Sequence, residues 1–192
     1  MFKPFLKAAV MTLAAGLTLP AFASPITYSA ILSGANEVPP TASSGTGSIN
    51  LSLDGNLLTI LLTYSGLTNP ASAGHIHCCA PPGVNAIVAV PFVGLPATTS
   101  GTYNNTVDLS LLASYNSAFV TANGGTAGTA EAAFITGLNT GQTYANLHNA
   151  TFPGGEIRGL VAVTPEPGTL VLLGTGVAGL AATVRRRIRT IL

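Results

Sequence analysis

The chain has three histidines, and their spacing is the kind that gathers ligands around one metal ion. His75 and His77 stand two residues apart, so on a strand they share a face while Ile76 takes the other. Tyr144, Asn146 and His148 share a face in the same way, with Ala145 and Leu147 opposite. With those apolar residues turned to the core, the three imidazoles converge on the outer side wherever the two strands are neighbours. Cys79 extends the same face if the first strand continues. Imidazole suits copper and zinc, and a thiolate favours Cu(I) or zinc. If a metal binds, it is therefore copper or zinc on His75, His77 and His148, with Cys79 as an optional ligand and one position open. The competing reading is that these are ordinary strand histidines bonded to backbone carbonyls.

Other candidate residues offer less chemistry. Cys78 and Cys79 are the only cysteines and they are adjacent. Three states stay open for them: a disulfide within the pair, a reduced pair beside the histidines, or a bridge to another molecule. A bridge within the pair closes almost no loop, so it cannot staple the fold. Glu156 and Arg158 lie two apart, and Arg158 is expected to form a structural ion pair with Glu156 or Glu37, because its planar fork suits a carboxylate. A Glu37–Glu156 acid/base pair for sugar hydrolysis would need a cleft with aromatic platforms, and the chain has no tryptophan. No catalytic constellation emerges, and the chain is not expected to be an enzyme.

Strands must position these residues. Ile26 to Ser33 alternates apolar and polar residues, as does Ser48 to Leu53; Asp54-Gly55 follows, and then Leu58, Ile60, Leu62 and Tyr64. Alternating runs around Asp-Gly are a hairpin signal. Asn85 to Phe92 reads as a further strand, and Thr143 to Asn149 pairs with Glu156 to Val163 across Pro153-Gly154-Gly155. Between them, Asp108 is expected to cap a short helix running to about Ala122, with a second helix over Thr129 to Leu138. The predicted fold is mainly β, an antiparallel β-sandwich of superoxide-dismutase-like or Ig-like type with a short helical excursion.

Both ends of the chain carry export signals. Residues 1–23 hold Lys3 and Lys7, an apolar stretch from Ala8 to Leu19 and Ala21-Phe22-Ala23, the pattern of a signal peptide cut by signal peptidase. Residues 165–192 hold Pro165-Glu166-Pro167, an apolar run over 168–184 read as a transmembrane helix, and Arg185, Arg186, Arg187 and Arg189. Those arginines should stay cytoplasmic while the body lies outside. Without its tails, residues 24–164 keep one cation, Arg158, against five acids, a net charge of −4 that the whole-chain +1 conceals. Such a body cannot neutralise phosphates, which excludes nucleic acid as a partner.

Two resemblances sharpen this reading. Gly34-Ala35-Asn36-Glu37-Val38-Pro39-Pro40, Gly74-His75-Ile76-His77, Tyr144-Ala145-Asn146-Leu147-His148 and Phe152-Pro153-Gly154-Gly155-Glu156-Ile157-Arg158-Gly159 occur in that order, and together they resemble the CHRD domain. The one departure is Asn149, where that family usually has threonine. The resemblance implies an extracellular β-rich domain over 24–164 and implies no reaction. The order Pro-Glu-Pro, apolar run, arginine cluster resembles the PEP-CTERM sorting tail. It implies a passing inner-membrane intermediate, removal of the tail by exosortase, and delivery to the surface or extracellular matrix of a Gram-negative bacterium, where extracellular polysaccharide is the expected neighbour. The histidine pattern is also similar to the copper site of copper-zinc superoxide dismutases, although the chain has too few histidines for a bridged copper-zinc pair. The leading expectation is a non-catalytic surface module; the alternative is a mononuclear copper- or zinc-binding domain with a metal-handling or redox role.

Overall fold

The computed structural model describes residues 24–164, 173–181 and 185. Eight strands form one antiparallel sheet: β1 (Ile26–Ser33), β2 (Thr46–Asp54), β3 (Leu57–Ser65), β4 (Ala71–Cys78), β5 (Ile87–Pro91), β6 (Gly101–Asp108), β7 (Thr143–Asn149) and β8 (Ile157–Val163), in the spatial order β5-β4-β7-β8-β1-β2-β3-β6. The alternation in the sequence sets which way each strand faces. Tyr28 and Leu32 of β1, Ile49 and Leu51 of β2, and Leu58, Ile60 and Leu62 of β3 are all but inaccessible, whereas Ile31 between them is exposed. The β2–β3 hairpin turns through Gly55-Asn56, with Gly55 at φ +55°, a backbone region that glycine enters without strain.

The expected sandwich of two sheets is replaced by a single curled sheet. Every strand contributes to one hydrophobic core, which requires the two halves of the sheet to bend toward each other. The outermost strands meet through side chains: the rings of Phe92, just past β5, and Tyr103 of β6 are 5.2 Å apart. Helices α1 (Ser117–Ala122) and α2 (Ala127–Asn139) add Phe119, Phe134 and Leu138 to the same core. Among the described residues, every member of that core lies between Tyr28 and Val161, so residues 24–164 carry a hydrophobic core of their own, as a separately folding unit requires.

Asp108 does not cap a helix. It ends β6 and accepts from the backbone N–H and hydroxyl of Ser110; a short 3-10 turn over Leu112–Ser114 intervenes, and Asn116 caps α1 by accepting from the Ala118 N–H. Strand β6 is not visible in the sequence because Gly101–Asp108 offers only Tyr103 and, partly buried, Val107 to the core and is otherwise polar or glycine. The expected signal peptide over 1–23, Pro165, Glu166, Pro167, Arg186 and Arg187 lie outside the described residues. Of the run expected to cross the membrane, residues 173–181 are helical, and among the described residues no helix is long and apolar enough to span a bilayer.

Candidate metal centre

Strands β4 and β7 are direct neighbours, in a register that sets His75 opposite Asn146, His77 opposite Tyr144, and Ala73 opposite His148. Ile76, Ala145 and Leu147 face the core, which turns all three imidazoles to the other side of the sheet. That side is covered rather than open. His77 is only 8 % exposed and Asn146 2 %, because the Glu37 segment, the loop after β4 and the turn between β7 and β8 fold over it. A register shift between Ile76 and His77 in the β4–β5 pairing marks where the strand adapts.

Ring nitrogens converge under this cover. One ligating nitrogen from each histidine can be chosen so that all lie within 4.8 Å of one another, and His75 Nδ1 is 3.2 Å from His148 Nε2. Two nitrogens bound tetrahedrally to one ion at about 2.05 Å each stand about 3.3 Å apart, so small side-chain rotations close the set around a metal. The rings are also oriented from behind. His77 Nδ1 donates to the Ala86 carbonyl at 2.8 Å and His148 Nδ1 to the Pro153 carbonyl at 3.0 Å. In neutral rings this leaves both Nε2 lone pairs facing inward, the outer-sphere arrangement that fixes a metal-binding tautomer. Tyr144 stacks on His77 with ring centroids 4.6 Å apart, and the Arg158 guanidinium covers the other face of Tyr144 at 3.3 Å.

Burial keeps the imidazoles neutral. It lowers His75 from 6.5 to about 4, helped by the neighbouring His148 and His77, and lowers His77 and His148 as well. Burial also raises Glu37 from 4.5 to about 7 against the pull of Arg158. These shifts act on metal-free stability with opposite signs. An unfolded chain binds histidine protons that the folded one refuses, so stability climbs from about pH 4 to 6.5. The folded chain holds a Glu37 proton that the unfolded one has released, so this group removes stability as pH rises from 4.5 to about 7. The His75 and Glu37 shifts nearly offset each other where their windows overlap, the lowered His77 and His148 tilt the sum upward, and above 6.5 the carboxyl alone of these four still titrates. Urea unfolding across pH should therefore show maximal stability near pH 6.5, and Glu37→Gln should abolish the fall beyond it. A wild-type profile that keeps rising there would place an ionised Glu37 in the folded protein.

The remaining candidate residues are distributed otherwise. Strand β4 stops at Cys78, so Cys79 does not extend the histidine face; its sulfur is bonded to that of Cys78 and faces the Ala133 carbonyl of α2. Gly137 leaves room for this pair, since a Cβ there would overlap the Cys78 sulfur. Arg158 donates to Asn85 Oδ1 at 2.8 Å and the Val84 carbonyl at 3.0 Å, in place of the expected bond to a carboxylate. Glu156 points elsewhere, accepting from the Ser43 hydroxyl, the Thr68 N–H and the Asn149 amide. Glu37 lies beside Asn146, and Gly155 (φ +129°) makes the space for both, because a Cβ at that position would fall 2.5 Å from Glu37 Oε1 and 2.8 Å from Asn146 Nδ2. Asn146 was placed on the histidine face by strand parity, but its central position was not foreseen: Oδ1 is 3.1 Å from His77 Nε2 and 3.0 Å from His148 Nε2.

Glu37, His75, His77, Asn146, His148, Pro153 and Gly155 thus come from four separate segments and meet at one place. Those are the four segments on which the sequence resemblance rests, and the model of the CHRD domain matches residues 28–161. The chain belongs to the CHRD family. A PEP-CTERM protein-sorting motif matches residues 163–187, directly behind the CHRD domain. That motif implies export, processing by exosortase and sorting to the cell surface in Gram-negative bacteria. No curated protein and no solved structure matches the chain.

Proposed function

We propose that this protein is a surface-delivered, non-catalytic binding module whose CHRD domain holds one copper or zinc ion through His75, His77 and His148, beside or within extracellular polymer. The observation that carries this reading is the convergence of three ring nitrogens within 4.8 Å, with two of the rings turned inward by backbone carbonyls. Three neutral imidazoles suit Zn(II) and both copper states, and they leave one coordination position for water or a partner's ligand. The absence of charge on the ligands favours Cu(I) chemistry as well, and with it a role in holding or passing on copper. Titration of metal-free residues 24–164 with Zn(II), Cu(II) and Cu(I) should saturate at one ion per chain. No saturable binding of any of the three would overturn the reading.

Delivery makes its own prediction. Deleting 165–192 should leave an unprocessed CHRD domain in the periplasm or medium, whereas the full chain should lose its arginine cluster in cells that carry an exosortase. Recovery of a mature surface protein that still contains Arg185 to Arg187 would make the tail a permanent anchor.

A further inference from the structure

Hydrogen bonding around Asn146 does not balance as it stands. His77 and His148 each commit Nδ1–H to a backbone carbonyl, so each neutral ring offers only a lone pair at Nε2. Asn146 Oδ1, another acceptor, sits between these two nitrogens at 3.1 Å and 3.0 Å. Its Nδ2 lies toward Glu37, yet Glu37 Oε1, in a side chain only 5 % exposed, has no hydrogen-bond partner. Acceptors thus face acceptors on one side of the amide and a buried oxygen is orphaned on the other, a costly combination.

One change repairs both faults. The two ends of a carboxamide are nearly the same size, so Asn146 can turn over in place. Its NH2 then donates to both Nε2 atoms, and its carbonyl requires a donor from Glu37, which a protonated carboxyl supplies. We propose that Asn146 and Glu37 form a proton-coupled latch on the histidine site, with two settings. In the empty site, Glu37 keeps its proton and bonds Asn146 Oδ1, while the Asn146 NH2 holds the imidazoles. When a divalent ion takes the Nε2 lone pairs, the NH2 is released and the amide turns back to donate to the Glu37 carboxylate. The carboxyl proton leaves to solvent, so one positive charge departs as two arrive. Arg158 lies close enough to favour the ionised setting, and the Val38 backbone donates to the carboxylate. The coupling half of this proposal rests on the metal reading; the empty-site half does not.

Zinc binding to residues 24–164, measured by calorimetry in two buffers of different ionisation enthalpy at about pH 6, should release about one proton more from the wild type than from Glu37→Gln. Equal proton release from two proteins that both bind zinc would overturn the coupling. Failure of the wild type to bind zinc would sink the metal reading and the coupling together. Metal-free wild type tests the rest: carboxyl carbon and imidazole nitrogen shifts at the same pH should report a protonated Glu37 and Nδ1–H tautomers at His77 and His148. An ionised Glu37 in that spectrum overturns the latch whatever the metal does.

Discussion

Glu156→Ala should destabilise the domain by roughly 2–6 kcal/mol, a large share of the usual total of about 5–15 kcal/mol. Glu156 is fully inaccessible. Its carboxylate satisfies the Ser43 hydroxyl, the Thr68 N–H and the Asn149 amide, which belong to the β1–β2 connection, the β3–β4 connection and the end of β7. Alanine removes the acceptor of the Ser43 hydroxyl and the Thr68 N–H and the tie between those segments, while the Asn149 amide keeps Thr68 Oγ1 and the Asn69 carbonyl; the cost of a buried donor without a partner is about 1–3 kcal/mol each. Urea unfolding should show the midpoint displaced far more than by Asp54→Ala, a change at an exposed turn. A comparable displacement for the two would mean that water reaches the Glu156 pocket.

Replacing His77 by alanine should weaken zinc and copper binding by at least about 100-fold, because loss of an outer-sphere partner alone costs 10- to 100-fold and this change removes a ligand. Its position makes it the most informative of the three. The ring is held by the Ala86 carbonyl and the Tyr144 stack, which aim its Nε2 at the other two histidines. Competition with a chromophoric chelator gives the measurement. Unchanged affinity in a folded His77→Ala protein would place the metal on other groups.

Much of the site was legible in advance, for a simple reason. Strand parity is rigid, so placing His75 with His77, and Asn146 with His148, needs only the identification of two strands. Whether those strands are neighbours is a matter of topology, which the sequence leaves open and the pairing of β4 with β7 answers. Three features escaped. The charge and planar fork of Arg158 point to a carboxylate, but the loop after β4 delivers an amide and a carbonyl to it first, and a tyrosine face completes its surroundings. Cys79 was carried along the histidine face by parity, which ends where the strand ends. Strand β6 lacks apolar alternation because it sits at the edge of the sheet, where its pairing with β3 supplies what its composition does not.

The placement of β8 has a consequence for the route this protein takes out of the cell. The last strand of the domain lies inside the sheet, between β7 and β1, and brings Ile157 and Val161 to the core. Without it the sheet falls into two unconnected pieces, β5-β4-β7 and β1-β2-β3-β6, neither of which can bury its inner face. The next residue, Thr164, bonds back to the Thr27 carbonyl, so the sorting tail begins with no slack behind the finished sheet. A chain threading outward from its N-terminus therefore cannot close this fold until almost all of it has crossed. The PEP-CTERM motif follows at once. Closure of the sheet, and with it completion of the histidine site, thus waits on the stretch of chain that leads directly into the sorting motif.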